Sequence, residues 1–110
     1  MNIQIFGTSK SFDTKKAERW FKERRIKFQS VDLKRYGMSR GELNSVRQAV
    51  GLEAMVEPNH PDAVLLQYLA SDQAKLDKLF EYPSLLRAPI VRNGHQATVG
   101  YCPQVWETWS

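Results

Sequence analysis

Residues 3–32 read IQIFGTSKSFDTKKAERWFKERRIKFQSVD, and this stretch decides the fold. A short β-favouring run at about 2–6 predicts the first strand. Apolar residues then recur at helical spacing between charged ones, which predicts a helix that Ser11 or Asp13 caps and that ends near Arg25. A second β-favouring run closes the stretch. This order predicts two parallel strands joined by a right-handed helical crossover.

The middle of the chain is predicted to be helical. Residues 39–42 (SRGE) have the spacing of a capping box, which predicts a helix that stops near Gly51. A short helix is expected at 63–70, and Ser71 is predicted to cap another helix that ends before Pro83. The residues of this last helix that are expected to face the core are Leu76, Leu79 and Phe80.

The last third of the chain predicts a hairpin and a final helix. Residues 90–91 favour a strand, Asn93-Gly94 is a strong hairpin signal, and residues 97–99 lie on the returning strand. Pro103 suits the first turn of a helix. The residues of this segment that are expected to pack on the sheet are Val105, Trp106 and Trp109.

The predicted fold is α/β, with a four-stranded mixed sheet flanked by helices and a helical insertion. The element order is β-α-β, then the insert, then β-β-α, and a mixed sheet is the simplest arrangement that accommodates it. The length of 110 residues fits one domain, residues 1–110. Its core is expected at about 1–35 and 83–110, and the insert at about 39–82.

Composition excludes several classes of function. The hydrophobic fraction of 42% and the charged fraction of 25% are ordinary for a globular chain, and no apolar run approaches the roughly 20 residues that span a bilayer. The single cysteine, Cys102, excludes an intrachain disulfide, and His60 and His95 lack the spacing of metal ligands. The opening residues do not resemble a signal peptide, so we expect a cytoplasmic protein. We also expect a monomer that binds neither a membrane nor a metal ion.

Positive charge is concentrated in one part of the chain. Residues 10–35 contain ten Lys and Arg against four acids, a net charge of +6, whereas the whole chain carries +4. Such an asymmetric distribution can attract an anionic ligand or an acidic protein surface, although a solvated helix face would look the same. We do not expect a nucleic acid, because no base-stacking or groove-reading motif accompanies the charge.

Six segments and one tryptophan carry a resemblance to a known family. They are IFG at 5–7, KKAERWF at 15–21, VDLKRYGMS at 31–39, GLEAMV at 51–56, YPSLLRAPIV at 82–91, VGY at 99–101 and Trp106. In this order they resemble the arsenate reductase-like (ArsC/Spx) family across nearly the whole chain. The resemblance implies a thioredoxin-like (glutaredoxin-like) fold of bacterial type and a cis peptide bond between Ala88 and Pro89.

The resemblance also implies where a redox site would lie. The nucleophilic cysteine of the family follows strand 1 at a helix N-terminus, where free N–H groups lower a thiol pKa. Ser11 stands at that position here, and the second cysteine of the Spx branch falls on Thr14. The ligand-binding residues implied by the resemblance are Thr8, Ser9, Lys10, Phe12, Asp13, Thr14, Arg87, Ala88 and Pro89.

The arginines that hold the oxyanion in arsenate-reducing members are also missing. The one before the cis proline is replaced by Ala88, with Arg87 one residue earlier, and the one before the last helix falls near Cys102. The arginine of the insert has no counterpart in residues 54–58. Arsenate reductase activity is therefore not expected, because a serine hydroxyl without a base cannot form the sulfur-bonded intermediates.

Three functional interpretations remain open. The first is a binding or regulatory domain that contacts an acidic partner through residues 10–35. The second is a glutathione- or thiol-dependent oxidoreductase or transferase, in which glutathione is the cofactor and Ser11 donates a hydrogen bond to its sulfur. The third places the nucleophile on Cys102 at the start of the last helix. A helix cap is the simpler explanation of Ser11, and burial as a small apolar residue is the simpler explanation of Cys102.

Overall fold

A computed structural model describes residues 1–109, in which a four-stranded mixed sheet lies between helices. The strands are β1 (Ile3–Gly7), β2 (Phe28–Asp32), β3 (Ile90–Asn93) and β4 (Gln96–Val99). Their order across the sheet is β2-β1-β3-β4. β1 runs parallel to β2 and antiparallel to β3, and β3 runs antiparallel to β4. The predicted mixed sheet is confirmed.

Within residues 1–109, five α-helices connect and cover the strands. They are α1 (Phe12–Glu23), α2 (Leu33–Tyr36), α3 (Arg40–Val50), α4 (Asp72–Glu81) and α5 (Pro103–Trp106). The predicted capping box of α3 is confirmed, because Ser39 and Glu42 each accept the other's backbone N–H. The predicted short helix at 63–70 is a 3-10 helix, Ala63–Tyr68. No helix of residues 1–109 combines the length and apolarity needed to cross a membrane.

Each face of the sheet has its own hydrophobic core, because side chains alternate between the faces of a strand. One core joins α1 and α5 to the sheet, through Ile3, Ile5, Ala17, Trp20, Phe21, Val91, Trp106 and Trp109. The other joins α2, α3, α4 and the 3-10 turns to the opposite face, through Phe6, Leu33, Met38, Leu43, Val46, Met55, Leu66, Leu76, Leu79, Leu85, Leu86 and Ile90. Residues of the predicted insert therefore pack on one face only.

Two residues that we expected in the core are exposed. The Phe80 side chain is 39% exposed, and the Arg40 guanidinium lies 4.3 Å from the centre of its ring. The Val105 side chain is 43% exposed because α5 is a single turn that buries Trp106 instead. A short helix presents fewer faces to the sheet than the sequence pattern implied.

Two predicted boundaries also shift. α1 ends at Glu23 instead of near Arg25, because Arg25 adopts a left-handed backbone conformation with φ of 58°. The hairpin turn consists of Gly94 and His95, since Asn93 still pairs with Gln96 in the ladder. Gly94 has φ of 61°, which glycine adopts without a steric penalty.

Candidate functional site

A cavity of about 680 Å³ lies where three chain segments meet: the loop after β1, the insert loop at 57–59 and the segment before β3. It brings together six of the nine ligand-binding residues implied by the resemblance, and Ser11 with them. The residues that line the cavity are Thr8, Lys10, Ser11, Phe12, Asp13, Glu57, Pro58, Asn59, Ser84, Leu86, Arg87 and Ala88. The loop 57–59 closes one side of the cavity.

Ser11 is the N-cap of α1. Its backbone is extended, with φ of −87° and ψ of 117°, and its Oγ accepts the backbone N–H of Thr14 at 3.1 Å. Its own N–H donates to the carbonyl of Thr8 at 3.2 Å, which closes the loop. The Oγ lone pair is thus directed at the helix, while the hydroxyl proton remains available to the cavity.

Thr14 and Ser9 do not line this cavity. Both line a smaller groove of about 210 Å³ that also contacts Gly7 and the end of β2. Thr14 is buried, and its Oγ1 accepts the N–H of Thr8 at 3.4 Å. Its Cγ2 lies only 2.3 Å from where a Cβ on Gly7 would stand. Thr14 therefore has a structural role, because its hydrogen bond and its packing hold the start of α1 against the end of β1.

The segment before β3 forms the opposite wall. The peptide bond between Ala88 and Pro89 is cis, and Pro89 is fully buried and does not line the cavity. The Arg87 side chain is exposed, and its guanidinium lies near Gly100, 3.6 Å from an ideal Cβ position there. Within residues 1–109, neither the N–H nor the carbonyl of Ala88 has a hydrogen-bond partner. A ligand with a peptide-like group could pair with this backbone.

The cavity carries charges of both signs. Lys10 and Arg87 are balanced by Asp13 and Glu57, so the lining has no net charge. The Glu57 carboxylate accepts the N–H of Asn59 at 3.2 Å, which fixes it at the rim. Sequence reasoning missed Glu57, because its position depends on an irregular loop. A dianionic oxyanion would meet two carboxylates here, which disfavours a dedicated oxyanion site.

Cys102 lies outside this cavity, half-buried against the core that contains the tryptophans. Its Sγ donates to the carbonyl of Val99 at 3.3 Å. Burial raises the pKa of the Cys102 thiol above its ordinary value, and the Thr98 hydroxyl and the Arg87 charge offset only part of this effect. The structure thus gives no support for a thiolate at neutral pH. Over the part of the chain that the structure describes, no group of His, Cys, Asp and Glu could hold a metal ion.

All ten basic side chains of residues 10–35 are exposed to solvent. Among residues 1–109 none of them forms an ion pair, since the three salt bridges involve Arg40, Arg47 and Arg92. Two of the four acids in the stretch are engaged locally: Glu18 accepts from Ser30, and Asp32 accepts the N–H of Lys34. The predicted concentration of positive charge is therefore exposed to solvent and is not neutralised by ion pairs within residues 1–109.

The fold is shared with solved structures of arsenate reductases and related proteins. The chain is similar to the arsenate reductase from Vibrio cholerae, with a TM-score of 0.85, 25% identity and coverage of 99% of this chain and 98% of that one. It is also similar to a putative arsenate reductase from Yersinia pestis. That match has a TM-score of 0.83 and 18% identity, and it covers 96% of this chain and 99% of that one. A third similar structure is that of a putative ArsC family related protein from Bacteroides fragilis. Its TM-score is 0.83 at 16% identity, with coverage of 97% of this chain and 96% of that one.

No family model matches the chain, and no curated protein matches it. The structural similarity extends over nearly the full length of these chains, so it includes the insert as well as the sheet. The protein therefore has the thioredoxin-like fold of arsenate reductases and ArsC-related proteins.

Proposed function

We propose that this protein is a binding or regulatory domain with an arsenate reductase-like fold that does not reduce arsenate. The observation that carries the proposal is Ser11: the residue at the N-terminus of α1, beside the cavity, is a serine whose Oγ caps the helix. A hydroxyl in this position supplies about 1 kcal/mol of capping energy and no redox chemistry. The balanced charges of the cavity lining support the same conclusion.

An arsenate reductase assay tests the loss of redox activity. Purified protein with arsenate, glutathione and a thioredoxin system is expected to form no more arsenite than a heat-denatured sample. The Ser11→Cys variant is expected to remain inactive or nearly so, since Arg87 stands one residue away from the expected oxyanion arginine. Turnover by the unmodified protein that Cys102→Ser abolishes would contradict the proposal and assign the nucleophile to Cys102.

The partner we propose is an acidic protein surface that meets the basic stretch at 10–35. The ten exposed and unpaired cations support this choice, because they can pair with carboxylates without first breaking an internal ion pair. Capture of partners from lysate should fall when cations along the whole stretch are changed to Glu together, at Lys15, Lys16, Lys27 and Lys34. Equal recovery by both forms would contradict a role for this charge in binding.

A second candidate function is the binding of glutathione or a similar small thiol at the cavity. The unpaired N–H and carbonyl of Ala88 favour it, because they can pair with a peptide group while Lys10 or Arg87 contacts a carboxylate. Calorimetric titration with glutathione should then show binding that Arg87→Ala weakens. The absence of heat at millimolar glutathione would exclude this second candidate and leave the first one intact.

A further inference from the structure

The edge of the sheet formed by β2 is open. β2 pairs with β1 alone, and among residues 1–109 no backbone group of residues 28–31 is bonded outside the sheet. In such a pair, alternate residues of the outer strand direct both N–H and C=O away from their neighbour. Gln29 and Ser30, in the middle of β2, are exposed. The edge can therefore accept the backbone of another strand.

Both ends of this edge are positively charged. Residues 24–35 contain five cations and one acid, Asp32, whose side chain accepts the N–H of Lys34 at 3.0 Å. The cations are Arg24, Arg25, Lys27, Lys34 and Arg35. All five are exposed, and within residues 1–109 none forms an ion pair. Lys27 directly precedes β2, and Lys34 follows it by two residues.

The charges discriminate between possible occupants of the edge. A second copy of this chain paired antiparallel through β2 would bring Lys27 of one copy towards Lys34 of the other. A parallel pair would bring Lys27 towards Lys27. Like charges opposed in this way disfavour association, whereas carboxylates at either end of an incoming strand would be attracted.

We propose that an acidic, extended segment of a partner protein adds to β2 as a fifth strand. Main-chain hydrogen bonds to the outward groups of β2 give the affinity, and the flanking cations select an acidic sequence. This inference rests on the acidic partner proposed above and assigns its contact to the sheet edge instead of the exposed face of α1.

A labelled peptide tests the inference on the intact protein. The probe is a fluorescein-tagged, end-blocked octapeptide of alternating Glu and Val, followed by anisotropy at about 0.1 M salt, where charges are screened beyond about 10 Å. Its matched control has the same sequence with N-methyl groups on two adjacent central amides, which block both edges of the peptide at unchanged charge. Strand addition predicts that the N-methylated peptide binds at least about tenfold more weakly.

Two variants with the same change in net charge locate the contact. Lys27→Glu with Lys34→Glu is expected to weaken binding about tenfold, whereas Lys15→Glu with Lys16→Glu on α1 should change it less than about twofold. Amide resonances of residues 28–32 should shift on titration and gain protection from hydrogen exchange. Circular dichroism of each variant verifies that these exposed changes leave the fold intact.

Three outcomes would overturn the inference in different ways. Equal binding of both peptides, with loss only in the α1 variant, would reject strand addition and leave the acidic partner in place. No binding of either peptide up to millimolar concentration would reject strand addition too, and the lysate experiment above would then decide the fate of the acidic partner alone. A dimer that sedimentation detects and that Lys27→Glu strengthens would identify a second copy as the occupant.

Discussion

Ser11 caps α1 at the position where the resemblance implies a nucleophilic cysteine. Its Oγ accepts the N–H of Thr14, one of the four N–H groups that a helix leaves unpaired at its start. We expect Ser11→Ala to lower the free energy of unfolding by about 1 kcal/mol, while Ser11→Asp should retain nearly all of it. Urea denaturation measures both. Equal losses in the two variants would show that Ser11 contributes something other than a cap.

Gly7 and Thr14 lie close together where β1 meets α1, with no room between them for a further side-chain atom. A Cβ on Gly7 would stand 2.3 Å from Thr14 Cγ2 and 2.5 Å from its Oγ1, distances that no side chains tolerate. Gly7→Ala is therefore expected to destabilise the fold by about 1–3 kcal/mol through overpacking. Combining it with Thr14→Ala should cost less than the sum of the two single changes. Strict additivity in thermal denaturation would contradict a direct clash.

Cys102 should behave as a protected thiol. Burial raises its pKa, so below the ordinary thiol pKa of about 8.5 both the folded and the unfolded chain are protonated and this group costs no stability. As pH rises further, the unfolded chain loses its proton first and stability falls. Iodoacetamide should alkylate Cys102 more slowly than free cysteine at pH 8, and Cys102→Ser should reduce the alkaline loss of stability. Alkylation faster than free cysteine would contradict this prediction.

At the scale of single residues, the sequence predicts which residues cap helices better than it predicts which residues of different elements lie close together. The capping roles of Ser11, Ser39 and Ser71 follow from local spacing, and the structure confirms them. The contact of Gly7 with Thr14 depends on how a helix sits on a strand, which local spacing does not contain. Glu57 reaches the cavity rim through an irregular loop without periodicity, so no pattern could have placed it there.

At the scale of elements, α1 ends in a conformation that its own sequence disfavours. Arg25 has φ of 58°, and the following N–H, that of Ile26, donates to the carbonyl of Phe21 at 2.9 Å. This is the site where glycine usually ends a helix. We expect Arg25→Gly to raise the free energy of unfolding by up to about 1 kcal/mol. Arg25→Ala is the control, because it removes the charge but keeps the strain and should give no such gain.

The order of elements is predictable, but their lengths and exposed faces are less so. Apolar periodicity located β1, α1, β2, α3 and α4. It did not reveal α2, a single turn that Asp32 caps and Gly37 closes. Periodicity also did not predict that Phe80 and Val105 are exposed. It shows which residues share a face of a helix, but not whether another element covers that face.

At the scale of the whole molecule, the unpaired cations should make stability depend on salt. Like charges such as Lys15 and Arg19, or Arg19 and Lys22, stand one turn apart on α1 and destabilise a helix by about 0.2–0.5 kcal/mol per pair. Raising salt from about 0.01 to 0.15 M shortens the screening length from about 30 to 8 Å. The free energy of unfolding should therefore increase, and Arg19→Gln should reduce that increase. A decrease with salt would show that the three ion pairs dominate instead.

The fold as a whole could be read from the sequence because the strand–helix–strand start and the hairpin admit few arrangements. The cavity could be located only through the resemblance, since its walls come from segments nearly 80 residues apart in the chain, such as Lys10 and Arg87. The balance of its charges required the structure, because Glu57 and Asp13 line the same cavity as these two cations.

The two hydrophobic cores differ in their tryptophan content, and therefore in their fluorescence. All three tryptophans, Trp20, Trp106 and Trp109, belong to the core under α1 and α5, and the core under α3 and α4 contains none. The indole emission of this protein is therefore a local reporter. Loosening of the insert would be silent in fluorescence while ellipticity at 222 nm declined, so superimposable transitions from the two signals would show that both faces of the sheet unfold together.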